Sequence, residues 1–257
     1  LKYGENPHQE ASYLNSPDLE RKAKYLVKIL HGALSYNNLA DTTAAYKLLC
    51  ELEDYNKSSC VIIKHGNPCG VAIDNKILGA YKKSFETDPI SAFGGIVAVN
   101  QKVDEKLAKR ILSVFTEVII AKSFSPEAFK MLSFKKNIKI VEIKSFDRTL
   151  LHTEEVRSVI GGYLVQETSL SKPNEEEFKV VTKRRPSKKE FDNLVFLWKI
   201  VKHVKSNAIV VGKNLCITGI GAGQTKRVGS VNLAIENSRR LEKTYKNSTK
   251  DISNGMA

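Results

Sequence analysis

Cys60-Val61-Ile62-Ile63-Lys64-His65-Gly66-Asn67-Pro68-Cys69-Gly70-Val71-Ala72 is the stretch on which the fold turns. Four apolar residues in a row, three of them β-branched, predict a short buried strand. Lys64-His65 ends it, and Gly66-Asn67-Pro68-Cys69-Gly70 supplies the residue types of a turn. Such a junction sets Lys and His where open α/β sheets hold ligands, outside the carboxyl ends of strands. A His there can serve as a general base near neutral pH. The Lys beside it would lower the His pKa and stabilise developing negative charge. Taken alone, the pair reads more simply as a solvated surface His and Lys.

Working outward, strand-like runs alternate with helix-like ones. Leu78 to Glu86 reads as a helix and Gly94 to Val99 as a strand. Asp104 can cap a helix from Glu105 to Val114. Val118 to Ala121 follows as a strand, and Pro126 to Ser133 as a helix with Ser125 as its cap. Ile138 to Ile143 alternates as a half-exposed strand should. This alternation predicts a layered α/β sheet. A polar, charged segment with two prolines spans Ser169 to Pro186. Beyond it Lys188 to Val204 reads as a helix, Asn207 to Val211 and Cys216 to Ile220 as strands, and Asn232 to Tyr245 as a helix. The tail, Asn247 to Ala257, is polar and expected to be loose. The chain therefore divides into a first unit, residues 1–170, and a second, residues 171–257, whose two clear strands are too few for a sheet of its own.

Composition narrows the class. A 42% hydrophobic content over 257 residues is ordinary for a globular protein. No apolar run approaches the roughly 18 residues of a membrane span. The start, Leu1 to Asn6, lacks the apolar core of a signal peptide and an initiator Met, so a piece of a longer chain is expected. The net charge of +13 raises the question of nucleic acid. The excess is mostly scattered Lys, however. The one dense run, Lys183-Arg184-Arg185 with Lys188-Lys189, follows Glu175-Glu176-Glu177 and has few aromatics on which bases could stack. Neither a nucleic-acid nor a membrane partner is expected. Cys50, Cys60, Cys69 and Cys216 form no C-x-x-C pair and read as reduced thiols of a cytoplasmic protein.

Two motifs come close to known signatures and miss. His65 to Ala72 resembles the zinc deaminase pattern, which needs H-x-E and then P-C-x-x-C. Asn67 stands in place of the Glu and Ala72 in place of the second Cys, so no metal is expected. Gly219-Ile220-Gly221-Ala222-Gly223-Gln224 misses the dinucleotide fingerprint because Gln224 occupies the last glycine position. Its alternate glycines are expected to let the backbone approach a ligand. Arg227 is placed to meet a carboxylate or phosphate. Lys2 to Gln9 and Asp88 to Gly95 are further segments rich in hydrogen-bonding groups.

Seven segments in series resemble one family, the AICAR transformylase/IMP cyclohydrolase bifunctional enzymes of purine synthesis. They are Lys-Tyr-Gly-Glu-Asn-Pro-His-Gln at 2–9, Ser-Tyr-Asn-Asn-Leu-Ala-Asp at 35–41, Lys-His-Gly-Asn-Pro-Cys-Gly at 64–70, Asp-Pro-Ile-Ser-Ala-Phe-Gly-Gly at 88–95, Glu-Val-Ile-Ile-Ala at 117–121, Val-Lys-Ser-Asn-Ala at 204–208 and Gly-Ile-Gly-Ala-Gly-Gln at 219–224. The resemblance implies tandem cytidine-deaminase-like units without zinc, the second incomplete. It implies formyl transfer from 10-formyltetrahydrofolate to the 5-amino group of AICAR (aminoimidazole carboxamide ribonucleotide). On that basis Lys64 stabilises the transition state and His65 accepts the proton. AICAR contacts fall on Lys2, Tyr3, His65, Gly94, Glu117, Asn207 and Arg227, with Asn38 a further one; Val228 falls on the folate side. Lys2 stands where some members have Arg, which keeps the charge and loses the fork geometry. A homodimer is also implied. The cyclohydrolase domain and the later region that supplies most of the folate site have no counterpart in this chain. The alternative expectation is therefore a truncated nucleotide-binding remnant without turnover.

Overall fold

The computed structural model describes residues 1–14, 16–169 and 174–254. In chain order, α1 (Pro17–Leu26) leads to β1 (Val27–His31) and to the long helix α2 (Tyr36–Leu52). The hairpin β2 (Ser58–Lys64) and β3 (Asn67–Asp74) follows, then α3 (Ile77–Thr87), α4 (Pro89–Ala92) and β4 (Gly95–Val99). Next come β5 (Lys102–Val103), α5 (Glu105–Leu112), β6 (Thr116–Ala121), β7 (Ser123–Phe124), α6 (Pro126–Ser133) and β8 (Lys139–Ile143). A second hairpin, β9 (Glu154–Val159) and β10 (Gly162–Glu167), precedes α7 (Lys188–Val201), β11 (Ile209–Lys213), β12 (Cys216–Gly221) and α8 (Arg227–Asn254).

Eight strands form one mixed sheet in the order β1-β8-β6-β4-β2-β3-β12-β11. Only β4, β6 and β8 run parallel to one another; every other pairing in the sheet is antiparallel. Side chains alternate across the pleat, so β2 feeds two cores. Val61 and Ile63 join the face covered by α2 and α7, with Leu48, Phe196 and Ile200. Cys60 and Ile62 join the face covered by α3, α5 and α6, with Tyr81, Leu107 and Leu132. The expected layered α/β architecture is present, as one large mixed sheet with helices on both faces.

Several boundaries differ from the sequence reading for identifiable reasons. The turn after Lys64 is two residues, not five: Lys64 pairs with Asn67, and β3 runs through Pro68 to Asp74. His65 and Gly66, with φ of +51° and +73°, supply the two positive φ angles of a tight hairpin. Pro68, which lacks an N–H, is absorbed at a register shift in the ladder. The helix expected from Asn232 starts at Arg227 and continues to Asn254, through most of the tail expected to be loose; residues 255–257 lie outside the described part. After the charged segment, β12 pairs with β3 at Cys216 and Ala72, so β11 and β12 extend the same sheet.

Candidate functional site

One edge of the sheet collects the chemistry. It is formed by the carboxyl ends of β2 and β12, the amino ends of β3, β4, β6 and β11, and the starts of α2 and α8. The carboxyl-end rule therefore applies to β2 and β12 only, because the sheet is mixed. At the end of β2, Lys64 donates from Nζ to the carbonyl of Gly94 at 2.8 Å. Gly94 adopts φ +67°, and its N–H donates to the Phe115 carbonyl at 2.8 Å. His65 is exposed, and its imidazole makes no hydrogen bond among the described residues. Its turn is held from both sides. Gly66 N–H donates to Asp41 Oδ1 at 2.7 Å, and Asn67 Nδ2 donates to the His65 carbonyl at 3.3 Å.

Beside this pair stand Asn38 and Glu117. Ser35 and Asn38 form a capping box at the start of α2. Asn38 Nδ2 also donates to Glu117 Oε2 at 2.8 Å. Asn38 is only 3% exposed. Its amide is spent on the helix cap and on orienting Glu117, at the start of β6. Gly94 and Glu117 sit on neighbouring strands, where Gly95 pairs with Thr116.

The later segments close over the same edge. Asn67 Oδ1 accepts from Lys205 N–H at 3.1 Å, two residues before Asn207. Asn207 Nδ2 donates to the carbonyls of Gln224 and Thr225 at 2.9 and 3.1 Å, which leaves Oδ1 as its open polar atom. Ser230 Oγ donates to the Asn207 carbonyl at 2.8 Å, fastening the loop to α8. Arg227, the first residue of α8, is exposed and without a partner among the described residues, as is Val228 beside it.

Residues 2–9 reach the edge more loosely. Asn37 Nδ2 donates to the Glu5 carbonyl at 3.2 Å, and the Lys2 ammonium lies 5.8 Å from the centre of the Tyr3 ring. The structure thus gathers Asn38, Lys64, His65, Gly94, Glu117 and Asn207. Arg227 and Val228 stand at the rim, and Lys2 and Tyr3 approach through Glu5.

The glycines that end β12 serve packing first. A Cβ on Gly219 would lie 2.1 Å from the Ala234 carbonyl oxygen, and one on Gly221 2.0 Å from that of Ser230. These two glycines let α8 pack against the strand, and of the two only Gly219 also lines the cleft beside Lys64 and His65. Gly223, at φ +65°, has open space around it.

A cleft of about 290 Å³ opens beside Lys64 and His65, walled by Cys69, Asp88, Ile220 and Leu233. Burial pushes the Cys69 thiol up to about 12, so it is neutral and a poor nucleophile at pH 7. All four cysteines are free. Among the described residues no group of three or more His, Cys, Asp or Glu is arranged to hold a metal ion. Sequence reasoning missed Asp41. Its only signal was spacing: three residues after Asn38, it falls on the same face of α2.

A sequence model of the family described as "AICARFT/IMPCHase bienzyme" matches residues 1–237. The chain is 47% identical over 242 residues to the bifunctional purine biosynthesis protein PurH of Caldicellulosiruptor saccharolyticus, covering 93% of this chain and 46% of that protein. It is 46% identical over 240 residues to PurH of Persephonella marina, with 92% and 45% covered. For PurH of Bacillus cytotoxicus the values are 42% over 236 residues, 91% and 45%. The chain spans about half the length of the curated relatives it matches.

Proposed function

Because the chain belongs to the AICARFT/IMPCHase bienzyme family, we propose that it transfers a formyl group from 10-formyltetrahydrofolate to the 5-amino group of AICAR. The observation that carries this reading is the pair at the end of β2. Lys64 is anchored on Gly94 with further N–H groups to spare, and the His65 imidazole beside it is uncommitted. The 5-amino group is a weak nucleophile because its lone pair is conjugated with the ring and carboxamide. Its attack on the formyl carbon needs a base for its proton and a cation for the oxyanion. His65 accepts the proton and Lys64 faces the oxyanion. The new C–N bond forms, the bond to folate N10 breaks, and N10 takes up a proton.

The remaining residues hold the nucleotide. Glu117, aimed by Asn38, accepts from substrate N–H or O–H groups, and Asn207 accepts with Oδ1. The Gly94 backbone lines the site, Tyr3 adds a polar ring, and Lys2 and Arg227 supply positive charge for the phosphate. Val228 faces the folate. In this reading residues 1–170 form the first deaminase-like unit, 171–257 begin the second, and β12 joins them across β3. The protein acts in the cytoplasm as a homodimer, with small molecules rather than nucleic acid or membrane as partners. No helix among the described residues is long and apolar enough to cross a membrane.

The test is an assay of tetrahydrofolate release with AICAR and 10-formyltetrahydrofolate, paired with calorimetry. Transfer that depends on His65 supports the proposal. AICAR binding without transfer would favour the remnant without turnover, and the absence of both would overturn the nucleotide reading.

A further inference from the structure

His65 sits in a backbone conformation that a residue with a Cβ rarely adopts, φ +51°. Neither ring nitrogen has a partner among the described residues, so no hydrogen bond aims the imidazole. Its direction is set by the backbone of the turn. Two side chains hold that backbone. The Asp41 carboxylate, in the second turn of α2, accepts the Gly66 N–H at 2.7 Å, a charge-assisted bond. Asn67 donates to the His65 carbonyl and accepts from Lys205 N–H with the other end of its amide. One side chain therefore spans the His65 turn and the loop that carries Asn207. Asn67 stands where a zinc deaminase has its proton-shuttling Glu; here the position fastens two loops.

We propose that Asp41 and Asn67 are positioning residues for His65, and that Asn67 couples the His65 turn to the Asn207 loop. The proposal rests on the reading of His65 as the proton acceptor. A general base must sit within hydrogen-bond reach of its proton, and a misplacement of about 1 Å can cost about 10² in rate. Losing the Asp41 anchor should therefore lower turnover while leaving the nucleotide contacts of Glu117 and Arg227 in place. Losing Asn67 should disturb turnover and binding together, because Asn207 is released as well.

The experiment compares His65→Ala, Asp41→Ala, Asp41→Asn, Asn67→Ala and Gly66→Ala in the purified protein. Its readouts are formyl-transfer kinetics and NMR exchange of the Gly66 amide. Asp41→Ala should lower kcat about 10²-fold with KM for AICAR within about threefold, and Asp41→Asn, which keeps an acceptor oxygen, should recover at least about tenfold of that. The Gly66 amide should exchange faster in Asp41→Ala. Asn67→Ala should lower kcat and raise KM. Gly66→Ala meets no atom within 4 Å but is strained at φ +73°, so it should mimic Asp41→Ala without a clash. If Asp41→Ala does not fold, Asp41→Asn and Gly66→Ala decide. With His65→Ala inactive, wild-type kcat in both Asp41→Ala and Gly66→Ala overturns the positioning role. An unchanged KM in Asn67→Ala overturns the coupling. Full activity in His65→Ala overturns the proton-acceptor reading itself, a result separate from Gly66 amide protection, which reports on Asp41 alone.

Discussion

At Gly94 two requirements coincide. The residue adopts φ +67°, and a Cβ would stand 3.0 Å from Lys64 Nζ. Gly94→Ala should cost about 1–2 kcal/mol through the left-handed backbone alone. It should cost more than tenfold in formyl transfer, because Lys64 must shift. Urea unfolding and steady-state kinetics separate the two effects. His65→Ala should lower kcat by about 10²–10⁴ and leave AICAR affinity within about tenfold. Near-normal turnover across neutral pH would remove the residue from its role. Arg227→Ala should weaken AICAR binding by about tenfold through a lost charge-assisted contact. Because Arg227 is exposed, the melting temperature should not move, and calorimetry beside a thermal scan checks both halves. Lys64 and His65 were legible from the strand they terminate and Arg227 from its place after the glycine run, while Asn38, Glu117 and Asn207 came only from the resemblance. Asp41 was legible only as a residue on the Asn38 face of α2, not by its role. A carboxylate bonded to a backbone N–H 25 residues away leaves no periodic trace in the chain.

Helix starts were legible where a capping residue marks them, because a cap is a local device. Ser125, Asp104 and Ser187 each accept an N–H in the first turn of their helix. β3 was hidden because Gly, Asn and Pro at its start read as turn residues, and only pairing with β2 reveals them as strand. At Gly221 the glycine spacing was ambiguous for a related reason, since a close approach between a strand and its own helix looks the same in sequence as one to a ligand. Gly221→Ala should push α8 away from β12 and cost about 1–3 kcal/mol. An unchanged unfolding midpoint would refute that packing role. The seating of α7 on α2 was also out of reach of local reading. It centres on the buried Glu51, which meets Lys202 at 2.6 Å, Arg148 at 3.1 Å and His203 at 3.8 Å. Burial alone would push this carboxyl up, but His203, Lys202 and Arg148 outweigh it and hold it below its ordinary value. A carboxyl depressed in the folded state contributes stability above its unfolded pKa and loses it as pH falls through the folded one. Glu51→Gln should therefore cost about 3 kcal/mol at pH 7. The gap to wild type should narrow below the usual carboxylate range; denaturant titrations at pH 7 and pH 3.5 measure it.

For the molecule as a whole, the α/β class followed from the alternation of runs, but the strand order did not. Outside the pairs β2–β3 and β11–β12, pairing partners in the large sheet are not consecutive in the chain, and period-2 patterning fixes faces rather than neighbours. The order has a measurable signature. β4 and β6 lie inside the sheet, whereas β1 and β11 are its edges. Amide exchange should be slowest in β2, β4 and β6 and fastest along the open side of β11. Equal protection across the sheet would contradict the topology. The pairing of Cys216 with Ala72 joins the hairpin that bears His65 to the strand that leads to Arg227. A ribosome delivers the first six strands of the sheet well before it delivers the seventh, and a nascent chain can bury much of its core while it still has half of the proposed site. Closing that long loop comes late and carries an entropic cost that only the completed contacts repay. The site proposed for AICAR should therefore become complete only after β12 has been made and paired with β3.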